Sequence, residues 1–300
     1  MAKGYRTEEI KQKLVDILNN EKTGLSGVEI AEKLGINRIT ITKYLNVFAA
    51  EGLIRQKKIG NVNIWYIEEG AEQFQFPDDY FLAKEKFIQY LTDGSEHQVY
   101  NFIRNCLHSE ANIQKIVAEI IYPATESLQK LYADGKIGNS EEKLLSKIIS
   151  NSIQILNVIS IEENPNKNVV VMAADSKSTL VAEAVGTTLH SDGWRVSSLG
   201  DMSSSIDVLF DLDLQKLLGK IWTQKLGIMI IVIFSDSPEG LNFFSEAVNS
   251  IKEKFGRKLF LVLCGKVGKT TGIKADLISE KPEDIIQWSQ TTFESSESKN

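Results

Sequence analysis

This chain of 300 residues is poor in the side chains that build metal centres and covalent frameworks. Its two cysteines, Cys106 and Cys264, lie far apart and form no Cys-x-x-Cys pair, so neither a disulfide framework nor a thiolate metal site is indicated. Its three histidines, His97, His108 and His190, include no His-x3-His pair, and His190 reads as an ordinary surface residue late on a helix. No apolar run reaches the roughly 18 residues that cross a bilayer. The longest, Leu226–Phe234, has the length of a strand. The N-terminus is polar and lacks a signal-peptide core. These absences predict a cytoplasmic protein without a metal and without a membrane association. Catalytic constellations are missing too. There is no Gly-x-Ser-x-Gly, neither cysteine has a histidine at a recognisable spacing, and Asp207, Asp211 and Asp213 read as one solvated helix face. No enzymatic activity is expected.

One segment imitates a phosphate loop. Gly265-Lys-Val-Gly268-Lys269-Thr270-Thr271 ends like a Walker A motif, but the position five residues before Gly268 is Leu263, not glycine. The following residues return to a strand instead of opening a helix, which argues against a nucleotide hydrolase of that type. Lys266, Lys269 and the backbone N–H groups could still face an anionic ligand.

What the chain does have is 42% apolar residues, enough to bury real cores, and a length that suits two or three domains. Charge is divided unevenly. Residues 1–67 hold eleven Lys and Arg against seven Asp and Glu, a balance of +4, whereas the whole chain carries −6. A basic end on an acidic body fits a head that touches DNA, because phosphate neutralisation dominates affinity for nucleic acid.

The head also has a pattern. A helix near 7–20 offers Ile10, Leu14, Ile17 and Leu18. A short helix follows, with Val28, Ile30, Ala31 and Leu34, and Gly35 ends it, where a residue without Cβ accepts positive φ. Asn37 caps the next helix, on which Ile41, Leu45 and Phe48 recur at helical spacing. The opposite face carries Arg38, Thr40, Thr42, Lys43 and Asn46, side chains of the kind that read base edges and phosphates. Gly52 closes this helix. A hairpin with Gly60-Asn61 at its turn comes next. It sets Ile59, Val62, Ile64 and Tyr66 against Lys58, Asn61, Asn63 and Trp65, and takes its charge from Arg55, Lys57 and Lys58. This order of elements resembles the winged helix-turn-helix regulators, and the resemblance implies double-stranded DNA as a partner, the alternative being a domain that binds another protein. The candidate DNA-contacting set is Arg38, Thr40, Thr42, Lys43, Asn46, Arg55, Lys57, Lys58, Asn61 and Asn63.

Beyond a linker near 68–79 the chain reads as helices only, near 80–92, 95–108, 110–132 and 140–160. A second linker, Glu162–Asn168, precedes a change of periodicity. Strands at 169–173, 194–199, 228–234, 258–263 and 275–278 alternate with helices at 179–191, 205–218, 241–254 and 282–292, which means a parallel sheet with helices on both faces. The expected architecture is therefore multidomain: an α+β winged helix over 1–70, an all-α bundle over 79–161, an α/β Rossmann-like (flavodoxin-like) sheet over 167–293, and a disordered tail over 294–300.

The bundle followed by this α/β domain resembles the cobalamin-binding module of methionine synthases and corrinoid methyltransferases. With a DNA-binding head in front, it resembles the cobalamin-dependent photoreceptor regulators. The matching pieces are Gly193-Trp-Arg-Val-Ser-Ser-Leu-Gly200, the Ser235 loop, Gly265, Gly272-Ile-Lys-Ala-Asp276 and Leu131-Tyr132-Ala-Asp-Gly135-Lys-Ile. The family's Asp-x-His-x-x-Gly motif is absent: counted back from Gly193, its cobalt-binding histidine falls at Ser178 and its glycine at Val181. The upper-face Trp and Glu-His pair of the photoreceptors correspond to Tyr132, Glu142 and Lys143, and the second glycine of a Gly-Gly pair is Lys266. A hydroxyl is a poor cobalt ligand beside an imidazole. The candidate ligand residues are Tyr132, Glu142, Ser176, Ser178, Ser235, Ser237 and Gly265. No cofactor is expected, with cobalamin held without a protein imidazole as the alternative. The functional expectation is a DNA-binding transcriptional regulator, a homodimer or higher homo-oligomer, whose bundle and α/β module sense a small-molecule ligand or mediate assembly. The alternatives are a corrinoid-binding sensor or carrier with a non-His site, and an interaction scaffold that has lost its ligand.

Overall fold

The computed structural model describes residues 7–19, 21, 23–50, 53–67, 74–205, 209–265 and 274–298. In chain order, the first elements are α1 (Thr7–Asn19), β1 (Leu25–Ser26), α2 (Gly27–Leu34), α3 (Arg38–Ala50), β2 (Arg55–Ile59) and β3 (Val62–Tyr66). Helices follow: α4 (Tyr80–Thr92), α5 (Glu96–His108), α6 (Ile113–Ile116), a π-helical turn at Val117–Ile121, α7 (Tyr122–Ala133) and α8 (Asn139–Asn157). The remainder alternates: β4 (Lys167–Ala173), α9 (Thr179–Ser191), β5 (Arg195–Asp201), α10 (Phe210–Ile221), β6 (Ile228–Phe234), α11 (Pro238–Phe255), β7 (Leu259–Cys264), β8 (Leu277–Ser279) and α12 (Pro282–Glu297).

These elements group into two compact units. One comprises Met1–Asp79 and Ser95–Ala111, the other Tyr80–Gly94 and Asn112–Asn300. The division differs from boundaries drawn on sequence alone, since α5 groups with the N-terminal segment and not with the helices around it. Its Phe102 is fully buried and meets Phe74 edge-on at 5.2 Å. Aromatic contacts of this kind are invisible to helical periodicity.

In the first unit, β1, β3 and β2 form an antiparallel sheet in that order. Helix α2 begins with a capping box: Ser26 Oγ accepts from Glu29 N–H, and Ser26 N–H donates to Glu29 Oε2 at 2.7 Å. Gly35 ends it at φ 64°. Asn37 Oδ1 accepts from Ile39 N–H at 2.8 Å and starts α3. Ile10, Leu14, Ile30, Ile41, Leu45, Phe48 and Trp65 form the core. The hairpin corrects one expectation. Trp65 is buried, although the alternation put it on the polar face, while Ile59 and Val62 are exposed. The reason is register: Trp65 pairs with Leu25 of β1 over the core, whereas Ile59 and Val62 pair with each other at the hairpin tip. Gly52 and Glu51 lie outside the described residues.

The second unit is built on a five-stranded parallel sheet in the order β5-β4-β6-β7-β8. Its central strands are apolar on both faces, as a doubly covered sheet requires. Val170, Met172, Ile231, Ile233, Leu261 and Leu263 pack under Phe210 and Leu214 of α10 and Phe244 and Val248 of α11. Val169, Val171, Ile230, Val232 and Val262 pack under Ala182, Val185 and Leu189 of α9 and Ile285 and Phe293 of α12. Helix α9 is shared, because α6, α7 and α8 of the helical layer pack against it as well.

Two elements depart from the periodicity. A single helix over 110–132 is expected, but Pro123 has no N–H to donate back, and the chain passes through the π-helical turn just before it. At the other end, α12 runs to Glu297, through most of the stretch expected to be disordered. Phe293 is buried, and the hydroxyls of Ser296 and Ser298 donate to the carbonyls of Phe293 and Glu294, which continues the helix beyond its apolar stripe. Helix α10 starts at Phe210 instead of 205, and residues 206–208, with Asp207, lie outside the described segments. No helix among the described residues is long and apolar enough to cross a membrane.

Candidate functional site

In the strand order above, the chain reverses direction across the sheet between β4 and β6. Open α/β sheets bind ligands at such a point, beyond the strand C-termini. The loops leaving β4 and β6 meet there on one carboxylate. Asp175 Oδ1 accepts from the Ser178 backbone N–H at 3.0 Å and the Ser178 hydroxyl at 2.9 Å. Asp175 Oδ2 accepts from the Ser235 hydroxyl and the Asp236 N–H, both at 2.8 Å. Partial burial raises the Asp175 carboxyl, but the bonds from Ser235, Asp236 and Ser178 outweigh it, and the group sits below the usual carboxylate range.

Ser235 is itself buried, and its Oγ accepts from Ser237 N–H at 3.1 Å. Ser237 caps α11, its Oγ accepting from Gly240 N–H at 3.0 Å. A Cβ on Gly240 would come within 2.8 Å of Ser235 Oγ, so glycine is required for this close packing.

The sequence-predicted ligand residues therefore separate. Asp175, which was not among them, joins Ser178 to Ser235, and Ser237 follows through Ser235. Gly265 abuts the same turn, its N–H donating to Ser279 O at 3.0 Å. Ser176 is exposed on the outer side of the loop. Tyr132 is exposed on α7, and Glu142 accepts a hydrogen bond from Ser146 on its own helix. Helix α7 meets the sheet through Tyr122 at its first residue. Ten residues at 1.5 Å rise set Tyr132 about 15 Å further along the axis. Lys266 and Lys269 lie outside the described residues.

Tyr122 is a partly buried polar residue near the strand C-termini that the sequence did not reveal. It packs against the cluster that includes Phe234 and Cys264, the last residues of β6 and β7. Its hydroxyl is buried with no hydrogen-bond partner. Burial raises its phenol well above the ordinary value, with Glu283 and Cys264 adding to the effect. Cys264 is pushed up to about 12, first by burial and then by Glu283, Asp284 and Glu280. The only signal in sequence was Pro123, which marks the start of α7 just after the π-helical turn.

This donor set decides which ligands fit. Its hydroxyls and N–H groups are taken up by Asp175 and by one another, so the buried phenol is what it offers to a hydrogen-bond acceptor such as a carboxamide. It does not fit a metal that takes a protein imidazole. Ser178, at the position of the expected cobalt ligand, has its hydroxyl committed to Asp175. His190 lies in the last turn of α9, which leads away from the strand C-termini, and its Nδ1 is 3.9 Å from Glu163. Among the described residues no group of three or more His, Cys, Asp and Glu side chains could hold a metal ion.

No protein-family model and no curated protein sequence matches the chain. Solved structures do. The monomethylamine corrinoid protein of Methanosarcina barkeri is 14% identical, with 70% of this chain and 98% of that chain covered and a TM-score of 0.54. The likeness is one of fold. A cobalamin-binding protein from Desulfitobacterium hafniense DCB-2 is 14% identical over 68% of this chain and 96% of that one, at a TM-score of 0.36. The methanol:cobalamin methyltransferase complex of Methanosarcina barkeri is 13% identical, covering 75% and 83%, also at 0.36.

The first unit presents a second candidate surface. Arg38, Thr42, Lys43 and Asn46 are exposed on α3, as are Arg55, Lys57, Lys58, Asn61 and Asn63 on the hairpin. Thr40 is half-buried at the edge of this face. Thr42 bends its hydroxyl back to Arg38 O at 2.8 Å, which occupies it within the helix. Ile39 and Val47, absent from the predicted set, lie on the exposed face. Helical spacing searched for apolar residues as core and so passed over them.

Proposed function

We propose that this chain is a corrinoid-type sensor or carrier that takes its ligand at the β4–β6 switch point without a protein ligand to the metal, and that its N-terminal unit carries the output. The likeness to the monomethylamine corrinoid protein supports this reading. The single local observation that carries it is the Asp175 junction, which draws two loops together at the place where this sheet type binds ligands. A corrinoid bound here would lie with its polar edge against the two loops joined at Asp175, and Tyr122 would donate a hydrogen bond to it. The metal of a bound corrinoid supplies its visible absorption and its own redox and alkyl chemistry. Titration of the full chain with hydroxocobalamin tests the reading. A shifted visible spectrum that co-elutes with the protein is expected, and a spectrum identical to that of the free compound together with no retained colour would sink it.

For the N-terminal unit, the favoured reading is a winged helix-turn-helix head that binds double-stranded DNA, as a homodimer or higher homo-oligomer. It rests on a single observation: α3 and the adjoining hairpin expose basic and amide side chains on a head whose segment has a balance of +4. Absence of any mobility shift with fragmented genomic DNA at low salt would remove this half and leave the ligand half standing.

A further inference from the structure

Among the residues on the exposed face of α3, Ile39 is the most exposed apolar one, ahead of Val47. It is the second residue of the helix, and its side chain is 72% exposed, whereas Ile41, Leu45 and Phe48 of the same helix are fully buried. Its backbone is anchored, with its N–H donating to Asn37 Oδ1 at 2.8 Å. Lys43 lies one turn along the same face, and Arg38 precedes it. An anchored, branched apolar group at the N-terminal end of a helix, flanked by cations, suits one feature of duplex DNA. The N-terminal residues of a helix in the major groove meet base edges, and the one apolar group displayed there is the C5-methyl of thymine. The neighbouring cations would neutralise the phosphates on either side. Ile39 and Val47, two turns apart and framed by charge, make a smaller apolar patch than the core of a protein interface.

We infer that Ile39 is a specificity-determining residue that reads a thymine methyl in the major groove. The inference rests on the DNA-binding reading above and deepens it. It also separates two contributions to binding: Arg38 and Lys43 set affinity for any duplex, and Ile39 sets a preference for thymine at one position.

The test uses the full chain and a duplex selected from a random pool, with affinity measured by fluorescence anisotropy. Each thymine is replaced in turn by deoxyuridine, which removes only the methyl group. At one position the wild-type protein is expected to lose about three- to fivefold in affinity, the factor for a methyl-sized group returned to water. Ile39→Ala should lose a similar factor on the thymine duplex and lose nothing further on the uridine duplex. Ile39→Val, which keeps a branched apolar group, should retain most of the discrimination. Far-UV circular dichroism confirms that both variants fold, as their exposed position leads one to expect. If the wild-type protein binds DNA but tolerates uridine at every position, the inference is overturned and the reading stands. If Ile39→Ala keeps the sensitivity to uridine, another residue reads the methyl and the inference is again overturned. If no duplex is selected or bound at low salt, both fail.

Discussion

Gly265 stands so close to Ser235 that a Cβ there would lie 1.9 Å from the Ser235 carbonyl oxygen, with φ at 149°. No L side chain fits this position without moving one of the two loops. Gly265→Ala is therefore expected to cost several kcal/mol, on the order of 3 or more, through backbone displacement. Urea unfolding followed by circular dichroism measures it. Gly240→Ala, with its closest clash at a hydroxyl, should cost less. Equal and negligible costs would mean that the loops have room to separate.

The Asp175 junction makes a pH-dependent prediction. Its carboxyl lies below the ordinary value of 3.8 in the folded chain. The stabilisation it provides is complete above the unfolded value, and it is lost as pH falls through the lower, folded value. Asp175→Asn removes the charge and places an NH₂ group against a cluster of donors. At pH 7 it should cost about 1–3 kcal/mol, toward the lower figure because the group is partly open to solvent. The gap between wild type and variant should begin to narrow near pH 3.8, where the unfolded chain takes up the proton, and close only as pH falls through the lower value of the folded carboxyl. A gap that stays constant from pH 7 to pH 3 would show that the charge carries no part of the effect.

These two loops also show what could be read from the sequence. Strand β6 coincides with its expected limits, Ile228–Phe234, because seven consecutive apolar residues leave no other reading. The serines and Gly265 could be found because loops after strands are the usual ligand sites. Asp175 could not, because the bond that gives it meaning spans sixty residues to Ser235. Tyr122 was hidden inside an apparent helix whose π-helical turn no periodicity announces. The exposed face of α3 was half legible: its charged and amide members stood out, while Ile39 and Val47 fit neither the apolar stripe nor the polar set and were passed over.

Cys264 gives a prediction on reactivity. With its thiol pushed up to about 12 by burial and by three nearby carboxylates, only about one molecule in ten thousand carries the thiolate at pH 8. Iodoacetamide at that pH should leave Cys264 unmodified in the native protein and alkylate it in urea, as read by peptide mass spectrometry. Rapid native alkylation would place the thiol in an open, solvated position.

The last prediction concerns the hairpin. Lys57 and Lys58 are exposed on β2, on consecutive residues of a strand, so their side chains leave opposite faces. A hairpin that lies along a DNA groove with one face toward the backbone would engage one of them more than the other. For each phosphate contact removed, the slope of log affinity against log salt falls by about one. If the head binds DNA as proposed, Lys57→Gln and Lys58→Gln should therefore differ: one lowers the slope by about one on every duplex regardless of sequence, and the other changes it little. Anisotropy titrations from 50 to 200 mM salt, a range over which several phosphate contacts cost orders of magnitude in affinity, measure both slopes. If each substitution lowers the slope by about one, the hairpin inserts between phosphate rows and uses both faces. If neither does, the charge on β2 faces something other than the DNA backbone, and the contacts that hold the head on a duplex belong to α3 alone.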